Sequence, residues 1–156
     1  MDFDHHYAVR VDWTGNRGSG TSSYRGYGRD HLVSAAGKMV IEGSSDPAFR
    51  GDVDRWNPEE LLLASLAQCH MLSYLHVAVK HGVTVTSYRD DAVGVLVQTS
   101  DGGGRFSSAT LRPVVTVTDG TDERLVQSLH GEAARLCFIA ASVDFEVVHE
   151  PTVIVA

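Results

Sequence analysis

The sequence predicts an α+β fold in which antiparallel sheets pack around one long central helix bearing Cys69. Three observations lead there. An apolar run from Leu61 to His81 opens on Asn57-Pro58-Glu59-Glu60 and closes on Gly82, the start and stop signals of a helix. Alternating or β-branched segments lie on both sides of it. Between two of these stands Asp101-Gly102-Gly103-Gly104, whose residues tolerate positive φ and so favour a hairpin.

Taken in order, Tyr7, Val9, Val11 and Trp13 alternate with His6, Ala8, Arg10 and Asp12, the pattern of a strand with one buried face. Thr14 to His31 mixes Gly, Ser and Asn with Arg17, Arg25 and Arg29 and reads as a turn leading into irregular or edge structure. Lys38 to Glu42 is a short strand candidate, and Gly43 to Trp56, with Pro47, is a loop. For the long helix, Asn57 is the cap, Pro58 suits the first position, and Glu59 and Glu60 face the positive end of the macrodipole. Val83 to Ser100 and Phe106 to Thr118 form a long antiparallel pair. Thr121 caps a second helix to Leu136, with Leu125, Leu129, Ala133 and Leu136 on one face and Cys137 at its end. Val143 to His149 and Glu150 to Ala156 supply the last strands. No repeat or linker divides the chain, so one domain over residues 1–156 is expected.

Composition narrows the function classes. The chain has 156 residues, 43% of them hydrophobic, with a net charge of -7 and no basic cluster, which disfavours nucleic-acid and anionic-membrane partners. The acidic, alternating N-terminus lacks the pattern of a secretory signal, so a cytoplasmic chain is expected. Ser65, Gln68, His70, Ser73, His76 and Lys80 interrupt the apolar run, which therefore reads as a buried core helix rather than a membrane span. Two cysteines in a reduced compartment are poorly explained as a structural disulfide. They are either inert core thiols or redox-active ones.

A reactive role needs a cause. An unperturbed thiol is only roughly 3% ionised at pH 7. Lowering its pKa by two units takes about 2.7 kcal/mol of preferential thiolate stabilisation. Cys69 sits in mid-helix, beyond the reach of the N-terminal dipole, and His70 projects about 100° away from it. His76 shares the face of Cys69, where it is either a hydrogen-bonded core or interface histidine or, with Cys69, a metal ligand. The metal reading lacks a close ligand pair, and neither CxxC nor HExxH is present, so no metal or cofactor is expected. His5 and His6 read as surface residues, and Gly102 to Gly104 lack the Lys-Ser/Thr of a phosphate loop.

The run Asn57-Pro58-Glu59-Glu60-Leu61, with Cys69 ten residues after Glu59 and Cys137 at the end of a later helix, resembles the OsmC/Ohr family of osmotically induced and organic-hydroperoxide-resistance proteins. The resemblance implies an intertwined homodimer with paired sites at the subunit interface. It also implies a peroxidase that takes organic hydroperoxides, with Cys69 attacking, Cys137 resolving it as a disulfide, and a dithiol reductant reopening that bond. It further implies an activating arginine held by the motif glutamate. Glu59 matches the glutamate, and Arg17, within Trp13-Thr14-Gly15-Asn16-Arg17-Gly18-Ser19-Gly20-Thr21, best matches the arginine, with Arg25 the nearest rival. Phe138 follows the second cysteine where the better-known peroxidases have proline, a departure that bears on the resolving step and its reductant, and Tyr24 to His31 with Gly43 to Trp56 looks like a distinct OsmC-like subgroup. Phe49, Trp56 and Phe138 are candidates for an apolar pocket as well as for core packing. Two other functions compete: an OsmC-like protein that binds a small apolar ligand and keeps inert thiols, and a metal-binding protein using Cys69 and His76.

Overall fold

The structure, a computed structural model, describes residues 3–156. They group into two compact units, one ending at Leu61 and the other spanning Leu62–Ala156.

The first unit is built on a three-stranded antiparallel meander of β1 (Arg10–Trp13), β2 (His31–Ser34) and β3 (Ile41–Gly43). The strand expected from Tyr7 is shorter than its alternation suggests. It also lacks the expected buried face, since all four β1 residues are exposed. An alternating pattern records which side chains share a face, but not whether anything covers that face. Trp13 is nonetheless anchored, its indole N–H donating to the Gly28 carbonyl at 2.8 Å while Gly28 N–H donates to the Gly15 carbonyl at 2.8 Å. A Cβ at Gly15 would stand 2.0 Å from the Gly28 carbonyl oxygen, so the Trp-x-Gly spelling is a packing requirement. The strand expected from Lys38 lies slightly later, and a single 3-10 turn at Pro47–Phe49 interrupts the loop to Trp56.

Helix α1 (Pro58–Lys80) begins and ends as its sequence dictates. Asn57 Oδ1 accepts from Glu60 N–H at 2.8 Å while Glu60 Oε2 accepts from Asn57 N–H at 3.2 Å, a reciprocal capping box. At the other end Gly82 takes φ +69°, with Gly82 N–H donating to Val79 O and Val83 N–H to Ala78 O, a Schellman stop. Length and composition alone make α1 apolar enough to cross a membrane, so its polar interruptions do not exclude that on hydropathy, contrary to expectation. Yet Leu66, His70, Tyr74, Val77 and Ala78 along it are buried by protein.

The second unit holds two three-stranded sheets. One is ordered β4 (Val85–Asp90), β7 (Pro113–Val117), β9 (Thr152–Val155), and the other β5 (Val93–Gln98), β6 (Gly104–Leu111), β8 (Glu146–His149). The Asp101-Gly-Gly-Gly hairpin joins β5 to β6 as expected, with Gly102 at φ +88°. The expected single long pair, however, is split between the sheets: β4 pairs with β7, and β5 with β6. The division falls at Arg112, whose N–H leaves the ladder to donate to Asp90 Oδ1 at 2.7 Å and whose guanidinium pairs with Glu150 at 3.0 Å. Nor are the sheets wholly antiparallel. Strands β8 and β9 run parallel to β6 and β7, because α2 (Glu123–Leu136) carries the chain back across before they form. The N-cap of α2 is Asp122 rather than Thr121: Asp122 Oδ1 accepts from Arg124 N–H at 2.9 Å, while the Thr121 hydroxyl is spent on Thr118 O.

These elements enclose two apolar clusters. Tyr74, Val77 and Ala78 of α1 pack with Val126, Leu129 and Ala133 of α2 over Val115 and Val117 of β7. Leu66, nearer the start of the helix, packs with Ala109 and Leu111 of β6. Helix α1 therefore lies against both sheets of this unit, which fixes its orientation and the direction in which each of its faces points.

Candidate functional site

Cys69 lies near the middle of α1 and is half-buried. Residues 69, 72, 73 and 76 share one helical face at i, i+3, i+4 and i+7, and all four line an open cavity of about 420 Å³. Leu136 from the end of α2 and Phe138 beyond it complete the lining. Phe138 is 78% exposed and forms part of the rim. The cavity is thus apolar apart from the Cys69 thiol, the Ser73 hydroxyl and the His76 ring. Of the three aromatics singled out in the sequence, Phe138 lines it, while Trp56 lines a separate hollow in the first unit with Val53 and Glu60.

Cys137 is the C-cap of α2 and only 1% exposed. Its backbone N–H donates to Ala134 O at 3.4 Å, and Ala140 N–H donates to its sulfur at 3.4 Å. Burial pushes this thiol up to about 11; the Ala140 N–H opposes the rise, and the neighbouring Cys69 thiol adds to it. Both cysteines are free thiols. The structure thus brings together the two sulfurs that the sequence singled out, one open to a cavity and one sealed beneath it.

Glu59 occupies the first turn of α1, where its Oε2 is buried and has no hydrogen-bond partner among the described residues. Arg17 and Arg25 are both exposed in the loop after β1. A Cβ on Gly28 would stand 3.2 Å from Gly15 Cα, so the backbone of Gly15 favours glycine there, and the Arg17 guanidinium lies 3.4 Å from the same point. Arg29 is the structural arginine of this loop. It stacks over the Tyr24 and Tyr27 rings at 4.5 and 3.9 Å and donates to both of their carbonyls.

Sequence reasoning passed over Leu72, Ser73 and Leu136 of the cavity, although their spacing from Cys69 and their place beside Cys137 were available. It also set His70 aside. His70 is fully buried, and its Nε2 stands 3.0 Å from His130 Nδ1 on α2. The His149 ring on β8 lies 4.3 Å from that of His70, centroid to centroid. Burial depresses all three: His70 to about 3, helped by His149 and His130, His130 to about 4, helped by His149, and His149 in the same direction. The sequence signal was the stripe Leu66, His70, Tyr74 and Val77, which puts His70 on the core face of α1.

Comparisons with known proteins identify the family and the fold. The profile of the family described as OsmC-like protein matches residues 51–151. A solved OsmC-like protein of unknown function from Vibrio cholerae is 32% identical, superposes with a TM-score of 0.83, and covers 95% of this chain and 99% of its own. An organic hydroperoxide resistance protein from Elizabethkingia anophelis shares the fold at 18% identity and a TM-score of 0.70, over 99% of this chain and 100% of its own. The uncharacterized protein YmaD of Bacillus subtilis is 22% identical over 92% of this chain and 90% of its own length.

Proposed function

The chain belongs to the OsmC-like family, and on that premise we propose that it is a cytoplasmic thiol peroxidase reducing organic hydroperoxides to alcohols. The observation that carries this reading is the pair of unlike thiols: Cys69 half-buried at an apolar cavity, and Cys137 sealed and protonated beside it. A thiol at about 11 is ionised to the extent of on the order of 0.01% at pH 7, so the attacking role falls to Cys69.

The Cys69 thiolate attacks the peroxide. An S–O bond forms, the O–O bond breaks, and the departing alkoxide takes a proton from solvent and leaves as the alcohol. Cys69 is then a sulfenic acid. The Cys137 sulfur attacks the Cys69 sulfur, and the Cys137 proton leaves with the sulfenic hydroxyl as water. An external dithiol reopens the disulfide by two exchange steps, contributing two electrons and two protons. The cavity favours this order, because Leu72, Leu136 and Phe138 offer apolar contact to an organic tail beside Cys69.

In this reading Arg17, with Arg25 as its rival, stabilises the Cys69 thiolate, and Glu59 orients the guanidinium. Support comes from the buried, unpartnered Glu59 Oε2, since a carboxylate oxygen so placed gains most from a cationic donor. The working form is an intertwined homodimer, a reading supported by the exposure of Val11 and Trp13 on β1 and of Leu72 and Val79 on α1. Turnover of cumene hydroperoxide with a dithiol tests the assignment. Cys69→Ser reduces it to the uncatalysed rate, and a Cys69→Ser protein that still turned over would sink the proposal.

A further inference from the structure

Six buried side-chain polar atoms of the described residues lack a hydrogen-bond partner, and two of them are His70 Nδ1 and His130 Nε2. These are the outer nitrogens of the His70–His130 pair, whose inner nitrogens are 3.0 Å apart. Two neutral imidazoles carry two N–H groups, of which one fills the shared bond, so the other always sits on an outer nitrogen and goes unsatisfied. The arrangement is therefore a poor core filler, since a buried unsatisfied donor destabilises a fold that aliphatic side chains of similar size would not burden.

Its position gives it another role. His70 directly follows Cys69 on α1, and His130 stands two helical turns before Cys137 on α2. Tyr74 of α1 adds a second directional link, stacking on His130 at 4.1 Å and donating its hydroxyl to Val126 O at 3.0 Å. The buried remainder of the α1–α2 contact is aliphatic, made by Val77, Ala78, Leu129 and Ala133, and such packing tolerates small shifts of register; at the surface, Lys80 and His81 at the far end of α1 pair with Glu132 of α2 at 3.4 and 2.9 Å. Nor are the three histidines a metal centre, because no group of three or more His, Cys, Asp or Glu side chains among the described residues is placed to hold an ion.

We propose that the buried His70–His130 pair, braced by His149, sets the register of the two cysteine-bearing helices so that the sulfurs of Cys69 and Cys137 meet, and that it does so only while its imidazoles are uncharged. The proposal rests on the peroxidase reading and assigns the pair a positioning role within it. A first added proton keeps the shared N–H···N bond but turns both outer nitrogens into unsatisfied donors. A second proton breaks the bond. No carboxylate offsets the charge: besides burial, the influences on His70 are His149 and His130, and that on His130 is His149. From β4, Tyr88 faces Tyr74, and Asp90 acts on Tyr88. Acid therefore favours parting of the helices, which returns the imidazoles to water.

The test is the effective concentration of the Cys69–Cys137 disulfide against glutathione redox buffers from pH 4 to pH 8, read by alkylation and mass spectrometry. Three proteins are compared: wild type, His130→Leu, which fills the space without the bond, and His130→Gln, which keeps a polar link that does not titrate. At pH 7 the Leu variant falls about tenfold or more while the Gln variant stays within about threefold of wild type. From pH 7 to pH 4, where His130 takes up its proton, wild type falls about tenfold and the Gln variant less. A thiolate at Cys69 would shift the pH dependence the opposite way, because acid then removes a stabilisation of the reduced form. A folded Leu variant with wild-type effective concentration overturns the proposal, as does a flat wild-type profile. Should the Leu variant not fold, wild type against Gln decides. Glutathione equilibrium involves no peroxide, so this result stands apart from whether the chain reduces hydroperoxides.

Discussion

The surroundings of the two cysteines differ in almost every physical respect, although the sulfurs are neighbours. Cys69 is carried on the flank of α1, where one side of the helix faces an open apolar cavity. Cys137 closes α2, is sealed from solvent, and receives a backbone N–H that only partly offsets its burial. One sulfur can be reached by a substrate. The other can be reached only by its neighbour. In the proposed peroxidase that asymmetry would divide an attacking thiol from a resolving one, and it teaches that burial can separate two thiols as firmly as charge can.

The largest effect that would break this contrast is at Cys137. Cys137→Ser should consume one equivalent of hydroperoxide and then stop, leaving Cys69 as a sulfenic acid trappable by dimedone; sustained turnover would show that resolution does not need Cys137. Next is acid, which acts on the histidines buried between the two helices. Unfolded histidines take up protons below about pH 6.5, whereas burial keeps His70 and His130 neutral until about 3 and about 4, so they carry no protonation penalty above pH 6.5 and destabilise the fold increasingly on the way down. Over that window these two could remove about 4 kcal/mol by pH 5. Urea denaturation from pH 7.5 to pH 5 should show the loss, and His130→Gln should remove about half of it. A smaller effect sharpens the contrast directly: iodoacetamide should label native Cys69 on the order of a hundredfold faster than Cys137, and equal rates would remove the distinction. The smallest lies at the far end of α2, where Asp122→Ala should cost about 1 kcal/mol in thermal or urea unfolding and leave the labelling ratio unchanged.

Much of this was legible in the sequence where local rules decide. Asn57-Pro58 and Gly82 bounded α1 because a capping box and a positive-φ stop are written in adjacent residues. Cys137 fell at the end of α2 because the apolar face of Leu125, Leu129, Ala133 and Leu136 runs out there, with no positive-φ stop to mark it. The cap of α2 was misplaced by one residue because Thr121 and Asp122 both suit the position, and only the Thr118 carbonyl decides between them. What depends on distant partners was not legible. The division of the long hairpin at Arg112 depends on Asp90 and Glu150, and the parallel pairing of β8 and β9 on the path through α2. His70 was set aside because it does not face Cys69, and its partner lies sixty residues away on another helix. At the site, the cysteines were found by motif, whereas Leu72, Ser73 and Leu136 emerge only once a helical face and a helix end meet over one cavity.

The central claim is that Cys69 and Cys137 are a working redox pair. The most direct test is to treat the fully reduced protein with one equivalent of cumene hydroperoxide, quench with an alkylating agent, and map the thiols by peptide mass spectrometry. The predicted result is an intramolecular Cys69–Cys137 disulfide formed in step with one equivalent of cumyl alcohol. Both cysteines recovered as free, alkylated thiols with the peroxide intact would contradict it.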